Sequence, residues 1–246
     1  MKYIAISIVF LLSLGVSAES VPAPRFDYEF LDVHSKVILE RGGDIRRIAD
    51  GEHGDPGDIV RTGWRGRAKV DVDGSASHFE IYPASKVRLA SETPGVLVMI
   101  EEGRLKAWFD ALLGREEDRL VETPGAVLAV RGTRYGVEVD RNGTTTLVVF
   151  EGMVEVVPRE PGVEPWMVRP GELSMFNRDG GHGTMAMPPS MNEGSWNSRG
   201  AMKDLHGSSG SLGSMMGPER GMQPGAMGSQ PKQPSSGHHD SSDRPH

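Results

Sequence analysis

Cysteine is absent from all 246 residues of the sequence. The absence excludes disulfide bonds, thiolate metal sites, a cysteine nucleophile and a lipid-modified cysteine at the N-terminus. A folded domain in this chain must therefore be stabilised by the burial of its core alone.

A basic surface is also lacking, because the formal net charge is −7. Residues 180–246 contain five basic and five acidic side chains, so the acidity lies in the rest of the chain. Nucleic acid and anionic lipid headgroups attract basic surfaces, and neither is expected as a partner.

Long apolar runs are lacking except at the start of the chain. Lys2 precedes a mostly apolar run of 13 residues from Ile4 to Val16, and Val16-Ser17-Ala18 then provides small residues. This layout is typical of a secretory signal peptide over residues 1–18, cut after Ala18. An uncleaved anchor is the alternative, although a membrane helix needs roughly 20 residues. We expect a periplasmic or secreted protein whose mature chain has no membrane span.

Catalytic motifs are lacking too, since there is no Gly-x-Ser-x-Gly, no His-Glu-x-x-His and no phosphate-binding glycine loop. The carboxylate clusters Glu101-Glu102 and Glu116-Glu117-Asp118 fit solvated turns better than a glycosidase pair. The acidic stretch from Asp50 to Asp58 lacks the spacing of a calcium loop. We expect no enzymatic activity and no cofactor.

Large apolar side chains are scarce after residue 178. Residues 180–246 contain 13 glycines, 12 serines and 7 prolines, with Trp196, Leu205 and Leu212 as the large apolar residues besides methionine. Such a segment buries too little surface to offset the entropy lost on ordering. Residues 179–246 are therefore expected to form a disordered tail rich in Gly, Ser, Pro and Met.

The middle of the chain shows short runs with the period of two that is typical of β-strands. Glycine-containing pairs separate these runs at Asp73-Gly74, Glu102-Gly103, Asn142-Gly143 and Glu151-Gly152. Asn-Gly between alternating apolar residues is a strong hairpin signal, because both turn positions need positive φ. No sustained helical period occurs. We expect an all-β fold, a meander of about ten strands in a two-sheet sandwich or a short β-solenoid-like arrangement.

One strand changes its alternation midway. Leu128 and Val130 are apolar at even positions, whereas Tyr135 and Val137 are apolar at odd positions. One extra residue must absorb the change, so Arg131-Gly132-Thr133 is expected to form a β-bulge or a corner. Arg131 could pair with a nearby acid to fix the bulge, or it could bind a carboxylate ligand; the first interpretation is favoured.

A series of motifs in this region resembles the periplasmic domain of the FecR family. Its most specific part combines Thr123-Pro124 with Val130–Val139 and Glu151–Val156, and weaker elements precede it from Gly57 onward and close it at Val168–Glu172. The residues of this structural signature are Thr123, Pro124, Arg131, Gly132, Thr133, Asn142, Gly143, Glu151 and Gly152.

The resemblance implies a β-rich binding domain outside the cytoplasm, here expected over residues 31–178 after an extended lead-in at residues 19–30. In the family's regulators this domain receives a signal from an outer-membrane receptor, and a membrane helix relays it to a part that controls a sigma factor. Here a signal peptide stands where that cytoplasmic part would be. We therefore expect a free-standing interaction or sensing module with an envelope or outer-membrane protein as its partner, and the identity of any small-molecule ligand is left open.

Two other functions remain open from the residues alone. Thioether and imidazole side chains suit copper, so the Met- and His-containing tail could handle this metal. The candidate ligands are Met215, Met216, Met222, His238 and His239. The other alternative is a structural module attached to envelope polysaccharide.

Overall fold

The computed structural model describes residues 26–73, 75–90, 93–110 and 119–197, and all of them lie in one compact unit. The described residues form fifteen strands and one short helix. These are β1 Tyr28–His34, β2 Val37–Arg41, β3 Asp44–Arg47, β4 His53–Gly54, β5 Ile59–Thr62, β6 Arg67–Val72, β7 Ser77–Ile81, β8 Lys86–Leu89, β9 Val96–Phe109, β10 Arg119–Glu122, β11 Ala126–Val139, β12 Thr145–Pro158, β13 Trp166–Val168, β14 Glu172–Phe176, β15 His182–Ala186 and α1 Glu193–Trp196. The predicted all-β class is confirmed, with more strands than the ten expected.

All fifteen strands belong to one hydrogen-bonded sheet that folds over itself. The first half runs in the order β3-β2-β5-β8-β9-β10-β11-β12-β13, and the second in the order β4-β1-β6-β7-β9-β11-β12-β14-β15. Neighbouring strands are antiparallel except for the parallel pair of β9 and β10. The three strands of 14 residues, β9, β11 and β12, contribute one end to each half.

The main core lies between the two halves. Tyr28 of β1 donates its hydroxyl hydrogen to the carbonyl oxygen of Leu97 on β9 at 2.6 Å, which ties the second half to the first. Most of the enclosed side chains are valine, leucine, isoleucine and phenylalanine that are less than 5% exposed. Each such side chain contributes about 1.5–3 kcal/mol on burial. This core supplies the stability that the cysteine-free sequence requires.

Each long strand passes from one half to the other at a corner. There its buried side chains change from even to odd residue numbers, or the reverse. In β9 the buried positions shift from Ile100 to Leu105, and in β11 they shift from Val130 to Thr133. In β12 they shift from Val149 to Val154. The bulge predicted at Arg131-Gly132-Thr133 is confirmed, and the register shows a compensating extra residue in β12 at the same level.

A glycine with positive φ lies at the corner of each long strand. The φ angles are +96° at Gly103, +52° at Gly132 and +78° at Gly152. The prediction that Glu102-Gly103 and Glu151-Gly152 separate strands was wrong, because both pairs lie inside continuous strands. Turns and bulges demand the same backbone conformation, so the dipeptides alone did not distinguish them.

The two short turns predicted around β11 are confirmed. Thr123 begins the turn before β11, where its Oγ1 donates to the carbonyl oxygen of Ala126 at 3.0 Å. The tip of the β11–β12 hairpin contains Asn142 and Gly143, and the Asp140 carboxylate accepts hydrogen bonds from the backbone N–H of Asn142 and Thr144 at 2.8 and 2.9 Å.

The folded part extends beyond both expected boundaries. The lead-in expected over residues 19–30 contains the start of β1, and Tyr28 and Phe30 are fully buried. The tail expected from residue 179 contains β15, which pairs with β14, and a segment of residues 187–197 that we call the closing segment. Trp196 in the closing segment is 0% exposed. One tryptophan offers too little apolar surface to order such a segment alone, but the rest of the domain supplies its pocket.

The signal peptide predicted over residues 1–18 and the tail after residue 197 lie outside the described residues. Among the residues that are described, no helix is long and apolar enough to cross a membrane.

Candidate functional site

The hydroxyl of Thr133 bridges β11 and β12 at their corner, where Gly132 and Gly152 lie. Thr133 Oγ1 lies 2.8 Å from the carbonyl oxygen of Arg131 and 3.0 Å from that of Met153. A Cβ on Gly152 would lie 2.7 Å from the carbonyl oxygen of Gly132, so no larger residue fits there without a backbone shift. The two strands therefore approach closely at the corner, and the side chains of Arg131 and Met153 are left on the outer face.

A groove of about 540 Å³ crosses the outer face of the first half beside this corner. It extends from β10 across β11 and β12 to β13. Its lining residues are Arg119, Leu120, Ala129, Val130, Arg131, Gly152, Met153, Glu155, Met167 and Pro170. We call this feature the corner groove.

Two methionines give the corner groove its apolar character. Met153 is 52% exposed and Met167 is 39% exposed, although the methionine side chain is large and flexible. Met167 pairs in register with Glu155 across the β12–β13 ladder. Exposed methionine is common on surfaces that adapt to protein partners, because its unbranched chain can repack. The corner groove thus has the composition of a protein-binding surface.

The charged side chains of the corner groove differ in their burial. Arg119 is 7% exposed and donates to the carbonyl oxygen of Asp110 at 2.8 Å and to that of Ser75 at 3.3 Å. Burial lowers the pKa of the Arg119 guanidinium. Its guanidinium also lies 5.4 Å from the ring centre of Phe109. Arg131 and Glu155, by contrast, are exposed on the outer face.

The corner groove ends at a strand edge. Strand β13 pairs with β12 on one side, and no described strand pairs with it on the other. An exposed edge offers unpaired backbone N–H and C=O groups to an incoming strand. A partner segment could add to β13 by backbone hydrogen bonds while its side chains reach Met153 and Met167.

The structure separates the predicted signature residues into three places. Arg131, Gly132, Thr133, Glu151 and Gly152 meet at the corner. The pair Thr123-Pro124 lies at the start of β11, and Asn142-Gly143 lies at the opposite end of the β11–β12 hairpin.

The residues that line the groove most openly were missed by the sequence argument. Met153 and Met167 occupy outward positions of β12 and β13. The sequence indicates them only as apolar residues at outward-facing positions, where polar residues are usual. Each directly precedes an inward-facing valine, Val154 or Val168. Such a signal is weak, because exposed apolar side chains are normal on protein surfaces.

The acidic clusters weighed for chemistry have structural roles where they are described. Glu101 pairs with Lys86 and with Arg88, the latter at 3.1 Å. Asp58 is 2% exposed and accepts two hydrogen bonds from Arg41 at 2.8 and 2.6 Å. The cluster Glu116-Glu117-Asp118 lies outside the described residues. Within the described ranges, no group of three or more His, Asp and Glu side chains could hold a metal ion.

The five copper candidates, Met215, Met216, Met222, His238 and His239, all lie outside the described residues. Three methionines that precede them in the predicted tail have packing roles. Met191 is 3% exposed, and Met185 and Met187 pack against the same apolar cluster. His182 stacks on Trp166 with ring centres 4.1 Å apart.

Comparison with known proteins confirms the FecR resemblance. Residues 58–155 match the family model described as FecR protein, a range that contains the corner and most of the corner groove. No curated protein matches the chain.

Two crystal structures of a proposed anti-sigma factor from Parabacteroides distasonis, at 2.50 and 1.65 Å resolution, match part of this chain. Both are 18% identical to this chain, with TM-scores of 0.42 and 0.43. The alignments cover 54% of this chain and 61% of the other, so this chain spans about three fifths of that protein's length.

Proposed function

Residues 58–155 match the FecR family model. On this basis we propose that the protein is an exported, non-catalytic interaction or sensing module of the cell envelope. The domain binds an extended segment of a protein partner in the corner groove and along the edge of β13. The expected partner is an outer-membrane receptor or another exported β-rich protein.

The exposed pair Met153 and Met167 beside an open strand edge is the observation that carries this proposal. Apolar side chains supply affinity when a partner buries them, and the strand edge supplies direction through its regular hydrogen bonds. Interfaces commonly place a few apolar anchors within a polar rim. Arg131 and Glu155 provide charged groups of both signs at such a rim.

The net charge and the N-terminal sequence pattern support the proposed location and class of partner. The net charge of −7 disfavours nucleic acid and anionic lipid. The apolar run and small residues before Glu19 have the pattern of a signal peptide. The resemblance of residues 58–155 to the FecR family implies a domain that acts by contact, which agrees with a binding function for the folded part.

The test is a cross-linking pull-down from the native envelope with the full-length chain and a double variant, Met153→Glu with Met167→Glu. Each glutamate adds a charge to the groove without disturbing the core, since both side chains are exposed. We expect the double variant to recover at least about tenfold less partner, a loss of about 1.4 kcal/mol. Ile45→Glu is the matched control, because Ile45 is 61% exposed on β3, away from the groove.

Equal recovery by the double variant and the wild type would refute the corner groove as the binding site. Recovery of every partner by residues 198–246 alone would favour the two alternatives. Copper titration of that peptide and glycan binding by the full chain would then separate metal handling from attachment to polysaccharide.

A further inference from the structure

The closing segment crosses the outer face of the second half and ends in a buried tryptophan. After β15 the chain passes through Pro188-Pro189 to Met191, which is 3% exposed, and then forms α1. Asn192 caps this helix, accepting a hydrogen bond from the backbone N–H of Ser195 at 2.9 Å. The cap fixes the direction of the short helix, so that Trp196 points into the sheet and is 0% exposed.

The pocket for Trp196 depends on the absence of a side chain at Gly136. A Cβ at Gly136 would lie 2.4 Å from Cε2 of the indole, which no atom can occupy while the ring is in place. Phe150 contacts the indole edge to face, with ring centres 6.3 Å apart. Val148 and Leu173 complete the apolar wall. The sheet therefore forms a pocket with the shape of an indole ring.

Polar groups around the pocket hold the neighbours of Trp196. Arg104 donates to the carbonyl oxygen of Trp196 at 3.0 Å, and the hydroxyl oxygen of Tyr82 lies 2.5 Å from Oδ1 of Asn197 and 2.7 Å from the Glu80 carboxylate. Burial raises the pKa of Tyr82 to about 12, so the hydroxyl keeps its proton at neutral pH. Lys106 lies 3.2 Å from the Glu193 carboxylate. Together these groups recognise an acidic residue, a tryptophan three positions later and an amide after it.

The closing segment packs in an apolar cluster of its own. Tyr82, Val148, Leu173, Met191 and Trp196 form an apolar cluster distinct from the main core. Three members of this cluster belong to the sheet side, and their backbone contacts are with other residues of the sheet. Val148 pairs with Leu173, and the backbone N–H of Tyr82 donates to the carbonyl oxygen of Arg104. The segment also lies outside residues 58–155, the range of the family match.

Within residues 119–197 and the other described ranges, one polar atom of the Trp196 indole makes no hydrogen bond. Its Nε1–H is buried and has no acceptor within the described residues. A buried donor without an acceptor weakens an interaction relative to one in which the hydrogen bond is made. A segment that offers an acceptor beside the indole would therefore fit the same pocket better than the closing segment does.

We propose that the pocket beneath the closing segment is a second protein-binding site, which takes a tryptophan-bearing segment of a partner in exchange for Trp196. The partner segment carries an acidic residue three positions before its tryptophan, matching Lys106 and the indole pocket. The closing segment acts as a self-ligand that keeps the pocket covered until the partner displaces it. This site lies on the opposite half from the corner groove and does not depend on it.

The test measures binding of a fluorescein-labelled peptide of residues 187–197 to full-length chains by fluorescence anisotropy. Trp196→Ala empties the pocket, and we expect it to bind the peptide at least about tenfold more tightly than the wild type does. A peptide with alanine in place of its tryptophan should bind at least about tenfold more weakly. Adding Gly136→Val to Trp196→Ala should abolish binding, because the new side chain occupies the position of the indole.

Equal binding to the wild type and to Trp196→Ala, or binding that survives Gly136→Val, would overturn the proposal. If Trp196→Ala loses its β-sheet circular dichroism, Glu193→Arg replaces it, since this change at a half-buried side chain breaks the ion pair to Lys106 and leaves the indole pocket itself unaltered. The native peptide should bind Glu193→Arg more tightly than the wild type, and failure to do so would also overturn the proposal. A concentration-dependent dimer that Trp196→Ala abolishes would assign the pocket to a second copy and overturn a separate partner as its occupant.

Discussion

The two outer faces of the folded sheet differ in what covers them. On the second half, the closing segment lies over the sheet and Trp196 is fully buried. On the first half, Met153 and Met167 remain exposed beside the open edge of β13. Both faces present apolar side chains among charged ones. On one face a segment of the same chain covers the apolar side chains, whereas on the other face no described residue covers Met153 and Met167 fully.

The difference shows that a short polar segment can be part of a fold when the domain supplies the pocket. Residues 187–197 contain two prolines and few apolar residues, and alone they would not order. The cost of ordering them is offset because one indole fills a cavity of matching shape and because Tyr82, Arg104 and Lys106 of the domain make polar contacts with the segment. The Asn192 cap adds a hydrogen bond within the segment itself.

The largest effect on stability is expected when the chain is cut before β15 and the closing segment. A chain ending at Arg178 lacks β15 and Trp196. Loss of a buried tryptophan costs about 3–5 kcal/mol, and each kcal/mol lowers the melting temperature of a domain of this size by about 2–4 °C. We expect a decrease of about 10 °C or more by differential scanning calorimetry.

A chain ending at Asn197 is the matched control for that cut. It keeps β15 and the closing segment, and its melting temperature should lie within about 2 °C of that of the full chain. A large decrease for this control would show that residues 198–246 contribute to folding, against the expectation from their composition. Equal melting of both truncated chains would mean that the closing segment does not stabilise the domain.

The corner between the two faces should respond to a change at Gly132. Its φ of +52° is strained for a β-branched side chain, although a Cβ there would meet no other atom within 4 Å. Gly132→Val should therefore lower the free energy of unfolding by about 2 kcal/mol through backbone strain alone. Chemical denaturation measures this, with Gly132→Asn as the control, because asparagine tolerates positive φ better. An unchanged midpoint for the valine variant would show that the positive φ of Gly132 does not constrain the corner.

The smallest effect concerns the hydroxyl of Tyr82 under the closing segment. Its pKa is raised to about 12, mainly by burial. The folded state therefore binds this proton more tightly than the unfolded state. The resulting stability is complete below pH 10 and is lost as the pH rises towards 12. We expect Tyr82 to account for about 1 kcal/mol of the decrease in unfolding free energy between pH 9 and pH 11.

Denaturation of Tyr82→Phe across this pH range isolates that contribution. The variant should show a smaller decrease than the wild type, since phenylalanine does not titrate. Tyr135→Phe is a useful comparison, because burial also raises the pKa of Tyr135, which lies in the main core on the other side of the sheet. An identical pH dependence for Tyr82→Phe and the wild type would show that the closing segment leaves Tyr82 accessible to water.

Much of the β architecture could be predicted from local signals. The parity change between Val130 and Tyr135 indicated one extra residue, and the register places it there. Asn142-Gly143 indicated a hairpin, and the hairpin forms, although only Gly143 has the positive φ, +84°, that was expected of both residues. The start of β1 was missed although Phe26, Tyr28 and Phe30 alternate, since nearby prolines were given more weight. The corner groove could not be predicted, because it joins residues of four strands.

The sequence by itself determined where the backbone must bend, since a glycine and a change of parity are local properties of the chain. Only the tertiary structure decided whether each bend is a turn or a corner, because that depends on which strands pair on both sides. It likewise decided the position of Trp196. The indole pocket is formed by Tyr82, Gly136, Val148 and Leu173, which are distant in sequence, so no pattern around Trp196 records that the pocket exists.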